Sequence, residues 1–130
     1  MSTGTDRASG GHWSTGFRMG AVSGIPTAAG SVLLIGAMWS SCDVGVNSSA
    51  NSMVLIFLLP VVWLLTAVVW TVVHGAVGRF GRTAATICAV AANLWLLWFV
   101  TSAVGGMDYP SPSCPDGIPA WWPVYVPVPV

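Results

Sequence analysis

A chain of 130 residues that is 55% hydrophobic and 6% charged lacks the charged quarter with which a soluble domain of this size covers itself. Its formal charge is zero, four arginines against four aspartates with neither lysine nor glutamate, which excludes a basic nucleic-acid-binding surface and an acidic tail. Lipid is the expected solvent, and arginine without lysine beside abundant Ala, Gly and Val suggests a GC-rich bacterial genome.

The first segment, residues 1–18, is rich in Gly, Ser and Thr and reads as a flexible arm. An apolar run from about 19 to 39 follows, interrupted by Pro26. Counted only from Pro26 it would rise about 21 Å, short of the roughly 30 Å hydrocarbon layer, so the helix is expected to start near Phe17 or Met19 and kink at Pro26. Two further runs, 53–74 and 84–104, carry no charged residue and are long enough to cross a bilayer. The fold class is therefore an all-α membrane protein with three transmembrane helices. Pro60 is expected to kink the second of them, because it removes the bond to the carbonyl of Ile56.

Arg79 and Arg82 fall between the second and third runs, where "GRFGR" reads as a tight basic loop facing anionic headgroups. Cytoplasmic loops retain Arg, so this loop is expected inside the cell. With three spans, Arg7 and Arg18 then fall on the same side, while Asp43, Asp108 and Asp116 fall on the other. The predicted topology is N-terminus cytoplasmic and C-terminus extracytoplasmic. A rival reading takes residues 1–41 as a signal sequence and "WSSC" as a degenerate lipoprotein box with Cys42 as the acylated terminus. Trp39 fits such a box poorly, and the polar lead-in is unusually long.

Residues 105–130 hold seven of the nine prolines and are expected to form an extended, largely polyproline II tail. Trp121, Trp122 and Tyr125 suit the headgroup layer as interface anchors, or the aromatic-lined groove of a partner.

Cys42 and Cys114 both fall on the expected extracytoplasmic side, where disulfides persist, and a pairing is expected. Cys88 reads as a small buried apolar residue of the third span. Asn93 is the most polar side chain deep in a span and should hydrogen-bond to another helix, with the indole of Trp63 on the antiparallel second helix as a candidate partner. In that second helix Trp63, Thr66, Ala67, Trp70 and His74 share one face, expected against protein, while Leu64, Leu65, Val68, Val69 and Val72 are expected against lipid. In the first, Gly20, Gly24 and Ala28 form a small-residue ladder suited to close helix approach.

His74 reads as a solvated interfacial residue and His12 as part of the flexible arm, so no metal or haem site is expected. No phosphate-binding loop, HExxH, CxxC or intramembrane carboxylate is present, and no catalytic residue or cofactor is assigned. The expected function is a non-enzymatic accessory, scaffold or assembly component of a membrane complex, with the bilayer and a membrane-protein partner or a second copy as its contacts. The alternative is a homo-oligomeric channel or transporter in which Asn93 and Thr66 converge on a pore. The absence of intramembrane charge argues against coupled transport.

Overall fold

The structure is a computed structural model describing residues 4–42, 48–105, 114–115 and 118–127, with side chains described at 11–42, 51–105 and the tail positions. The side chain of Arg7 lies outside the described residues, as do Asp43, Asp108, Asp116, Pro110, Pro112 and Pro129. Three α-helices follow in chain order, α1 (Gly4–Ser41), α2 (Ser48–Val77) and α3 (Arg82–Gly105), with a short 3-10 turn at Gly78–Phe80. Three stretches are long and apolar enough to cross a membrane: Gly11–Ser41 in α1, Asn51–Phe80 in α2 and the 3-10 turn after it, and Arg82–Gly105, which is α3. The chain has the design of a multi-pass membrane protein, because a helix pairs its backbone groups within itself where no water is available to do so.

The first helix departs from expectation. It is helical from Gly4, through the segment expected to be a flexible arm. The physical reason is packing: Trp13 faces Gly75 and His12 faces Gly78, so the arm has a surface to lie on. Glycines that read as chain flexibility serve instead as clearance between helices. Pro26 and Pro60 lie inside continuous helices, each removing one backbone donor.

The reversal between α2 and α3 needs a glycine. Gly81 adopts φ 132° and ψ 148°, a conformation that L side chains rarely enter, and its N–H donates to the Gly78 carbonyl at 3.1 Å. The Gly81 carbonyl then accepts the first α3 bond, from Ala85 at 3.1 Å.

Packing differs between the two ends of the bundle. Toward the Arg79/Arg82 end, α1 and α2 meet along a glycine seam. A Cβ at Gly20 would lie 2.7 Å from Trp70 Cβ and 2.9 Å from Ala67 Cα, one at Gly24 would lie 2.7 Å from Trp63 Cδ1, and one at Gly16 would lie 2.7 Å from His74 Cβ. Toward the other end the core is aliphatic: Ala28, Ile35, Val62, Leu96 and Val100 are buried together, with Trp39, Leu55, Leu58, Trp63, Val69 and Val104 packed around them. Val69, expected against lipid, is half-buried on this cluster, whereas Leu64, Leu65, Val68 and Val72 are exposed on the outer face.

The described part of the tail folds into turns. Trp122 N–H donates to the Pro119 carbonyl and Val126 N–H to the Pro123 carbonyl, each at 3.0 Å. Within these described residues the turns interrupt the extended, largely polyproline II path expected from the proline content. Proline at the first position of a four-residue turn needs no donor there, so the turn closes with its carbonyl.

Candidate functional site

Polar groups inside the bundle lie along one face of α2 and across from it. Thr66, Trp70 and His74 follow one another at four-residue spacing, which stacks them on one helix face. All three are buried, and Thr66 Oγ1, Trp70 Nε1 and His74 Nε2 each have no hydrogen-bond partner. Several other in-span hydroxyls are satisfied locally: Thr71 donates to the Ala67 carbonyl at 2.6 Å, Ser31 to Thr27 at 2.9 Å and Ser102 to Trp98 at 2.6 Å, whereas Thr101 Oγ1 on α3 is, like Thr66, buried without a partner. Three of the four buried unpartnered side-chain atoms among the described residues thus fall in one row on α2.

At mid-bundle, Asn93 bonds to α1 rather than to Trp63. Asn93 Nδ2 donates to Thr27 Oγ1 at 3.1 Å, and Thr27 Oγ1 in turn donates to the Ser23 carbonyl at 2.8 Å. The Trp63 indole donates to the Ala21 carbonyl at 2.8 Å. The candidate Asn93–Trp63 pair is thus replaced by two bonds that both end on α1. The seam brings α1 close enough to α2 to take the indole, and Thr27 offers Asn93 a hydroxyl whose own proton is already committed.

At the Arg79/Arg82 end, His74 is 1% exposed, which corrects its reading as a solvated interfacial residue. Its ring stacks on Trp70 with centroids 5.7 Å apart, and Nδ1 lies 3.1 Å from the Trp70 carbonyl. A carbonyl only accepts, so Nδ1 carries the proton and, in the neutral ring, Nε2 is left with a free lone pair. His74 shares the wall of a cavity of about 300 Å³ with Gly11, His12, Thr15, Gly78 and Arg82. His12, expected in a flexible arm, is thereby brought to His74 and Arg82. Arg79 points elsewhere, its guanidinium 4.7 Å from the centroid of the Phe80 ring. Arg18 is exposed on α1. Among the described residues no three His, Cys, Asp or Glu side chains converge as metal ligands would.

At the opposite end, Cys42 and Cys114 form a disulfide with Cα atoms 5.3 Å apart, and both are buried. The tail is fastened at two further points. Trp121 Nε1 donates to Ser41 Oγ at 2.8 Å and Trp98 Nε1 on α3 donates to the Pro127 carbonyl at 2.9 Å. Trp122, expected in the headgroup layer, is 8% exposed and donates to the Val126 carbonyl, so it belongs to the tail's own packing. Trp121 and Tyr125 are exposed, Tyr125 at 84%. Cys88, expected to be buried, is a free thiol exposed on α3.

Comparison of the chain with protein-family models, with curated proteins and with solved structures finds no match.

Sequence reasoning missed Trp13, Thr15, Gly16, Gly75 and Gly78. The signal for Gly16 was present, since the ladder of Gly20, Gly24 and Ala28 continues upward to it at the same four-residue spacing. Gly75 and Gly78 carried no such signal, because what they accommodate comes from a segment that read as disordered.

Proposed function

We propose that the protein is a non-enzymatic accessory, scaffold or assembly component of a membrane complex. It spans the membrane three times with its N-terminus cytoplasmic and its C-terminus extracytoplasmic. The observation that carries the accessory reading is the inward placement of its in-span polar groups. Asn93 is bonded to Thr27, and Thr66, though its hydroxyl has no partner, is fully buried inside the bundle, so neither residue a homo-oligomeric pore would need faces outward from one copy. What the bundle offers outward is apolar: Ile87, Val90, Leu94, Trp95 and Phe99 are exposed along α3, with Trp95 and Phe99 stacked at 5.3 Å. Such a face suits lipid or another transmembrane helix.

Two features support the orientation independently. Arg79 and Arg82 sit at one end, as expected of a cytoplasmic loop, and the Cys42–Cys114 disulfide sits at the other, as expected of an oxidising compartment. Arg18 lies deeper along α1 and is exposed, and its apolar stem is long enough for the guanidinium to extend toward the same side. The test of function is purification in mild detergent with mass spectrometry of the intact assembly. A reproducible larger partner supports the accessory reading. A lone homo-oligomer that conducts a solute or ion in vesicles, with flux lost in Asn93→Leu, supports the channel instead. Removal of residues 107–130 without loss of a co-purifying protein would exclude the tail as its contact. An N-terminus at a lipid-modified Cys42 would overturn the three-span topology.

A further inference from the structure

We propose that the cavity walled by His12, Thr15, His74 and Arg82, at the first residue of α3, is a binding site for a phosphate-bearing anion. Four observations converge on it. The described side chains of the wall are two imidazoles, a hydroxyl and a guanidinium, with Gly11 and Gly78 completing it; the guanidinium and the hydroxyl can donate to an oxyanion in any state, His74 Nε2 only in a protonated ring, and none is a carboxylate. Arg82 opens a 24-residue helix, whose first amide N–H groups have no partners within the helix and whose dipole places partial positive charge at this point. The residue before it is Gly81, which has no side chain to cap those amides.

The fourth observation is independent of the helix end. His74 is 1% exposed, lines the cavity, and has Nε2 buried without a partner. A buried polar atom left unpaired costs about 1–3 kcal/mol, and of the four such atoms among the described residues only the one on His74 belongs to a residue lining this cavity. Nδ1 is held by the Trp70 carbonyl, which leaves Nε2 as the only ring atom that can engage a ligand. Nε2 can accept the proton of a monoprotonated phosphate, or, in a protonated ring, donate to a phosphate oxygen. With two His rather than three ligating side chains in the described residues, the donor set suits an anion better than a metal ion.

The glycines give the site its room. Gly78 leaves space for the His12 ring, whose Nδ1 lies 2.7 Å from where a Cβ would be, and the volume of about 300 Å³ exceeds what one phosphate group fills. A phosphate carrying an alcohol substituent therefore fits. At a membrane interface that chemistry has two sources, a phospholipid headgroup and a soluble phosphoester, and the site itself does not depend on which face of the membrane it occupies.

The test uses the full chain, labelled with ¹⁵N in its histidines, in nanodiscs of neutral phosphatidylcholine titrated with inorganic phosphate. A saturable change at the His74 ring, absent with chloride at equal ionic strength, is the expected result for a soluble ligand. Arg82→Gln, at an exposed position that leaves the helix intact, should weaken the midpoint by roughly tenfold or more, the value of one charge-assisted hydrogen bond. Thr15→Ala provides a second, charge-neutral variant that should also weaken it. Arg79→Gln, whose guanidinium lies over Phe80, should shift the midpoint by no more than about twofold, as screened surface charges do. If free phosphate is silent but phosphatidylglycerol in the nanodisc moves the His74 signal with the same dependence on Arg82, the ligand is a lipid headgroup. A His74 ring indifferent to both would overturn the site. Equal losses from Arg79→Gln and Arg82→Gln would overturn it too, reducing the effect to diffuse attraction by a basic end.

Discussion

The two halves of the bundle solve the same problem in opposite ways. In the half nearest Arg79 and Arg82, α1 contributes Gly16, Gly20 and Gly24 and α2 contributes Trp63, Trp70 and His74, so large rings are laid against bare backbone. In the half nearest the disulfide, Ile35, Val62, Leu96 and Val100 interlock as side chains on three helices. Lipid tails are as apolar as leucine, so association within a bilayer gains little from hiding aliphatic surface and depends on close packing and on polar contacts. The glycine half gains the close approach, and three of the four buried atoms without partners among the described residues, Thr66 Oγ1, Trp70 Nε1 and His74 Nε2, lie there, the fourth being Thr101 Oγ1 beside Val100. The aliphatic half relies on shape, on the disulfide and on the tail strapped across it by Trp121 and Trp98. The lesson is that the first half is intolerant of added volume, and the second of removed volume.

The largest effect should come from filling the seam. Gly20→Leu places a Cβ 2.7 Å from Trp70 Cβ and 2.9 Å from an α2 backbone atom, neither of which is the free end of a flexible side chain. We expect a loss of more than about 3 kcal/mol, at or beyond the top of the overpacking range, because the backbones themselves must separate. Denaturation of the detergent-solubilised chain by a titrated harsh detergent, followed by far-UV circular dichroism, would measure it. A loss under 1 kcal/mol would show that α1 and α2 do not meet at backbone distance.

In the other half the damaging change is the reverse. Leu96→Ala removes a buried side chain from the aliphatic cluster and should cost about 2 kcal/mol, the low end of such truncations, because lipid-solvated neighbours can partly close the gap. Asn93→Leu lies between the halves. It removes the bond to Thr27, so the same titration should show a loss of about 1 kcal/mol. A loss near 4 kcal/mol there would place Asn93 in a larger polar network than the single bond to Thr27.

This division was only partly legible in the sequence. Three spans were readable because apolar length is a coarse property, and the inward face of α2 was readable because Thr66, Trp70 and His74 recur at helical spacing. The partner of Asn93 was not, because depth alone places it level with Trp63 and says nothing about the rotation of α1 that delivers Thr27. The cavity was not legible at all. Its wall joins residues 11–15 to residues 74–82, and the first of these stretches has the composition of a disordered arm. Composition reports what a segment costs to order, and it does not reveal that Gly75 and Gly78 wait on another helix to receive Trp13 and His12.

The smallest effect isolates the cause of the largest. Gly30 lies in α1 about one turn beyond Pro26, and a Cβ built there meets nothing within 4 Å. Gly30→Ala makes the same kind of addition as a substitution at Gly20, in the same helix, but without an opposing backbone. The only remaining consequence is the narrower conformational freedom of the unfolded segment, which favours the helix by about 0.5 kcal/mol. Gly20→Ala, by contrast, should destabilise, because even one carbon enters the space held by Trp70 and Ala67. Opposite signs for these two variants in the same denaturation experiment would assign the sensitivity of α1 to close approach. Equal signs would assign it to helix propensity, and the distinction between the two halves of the bundle would then disappear.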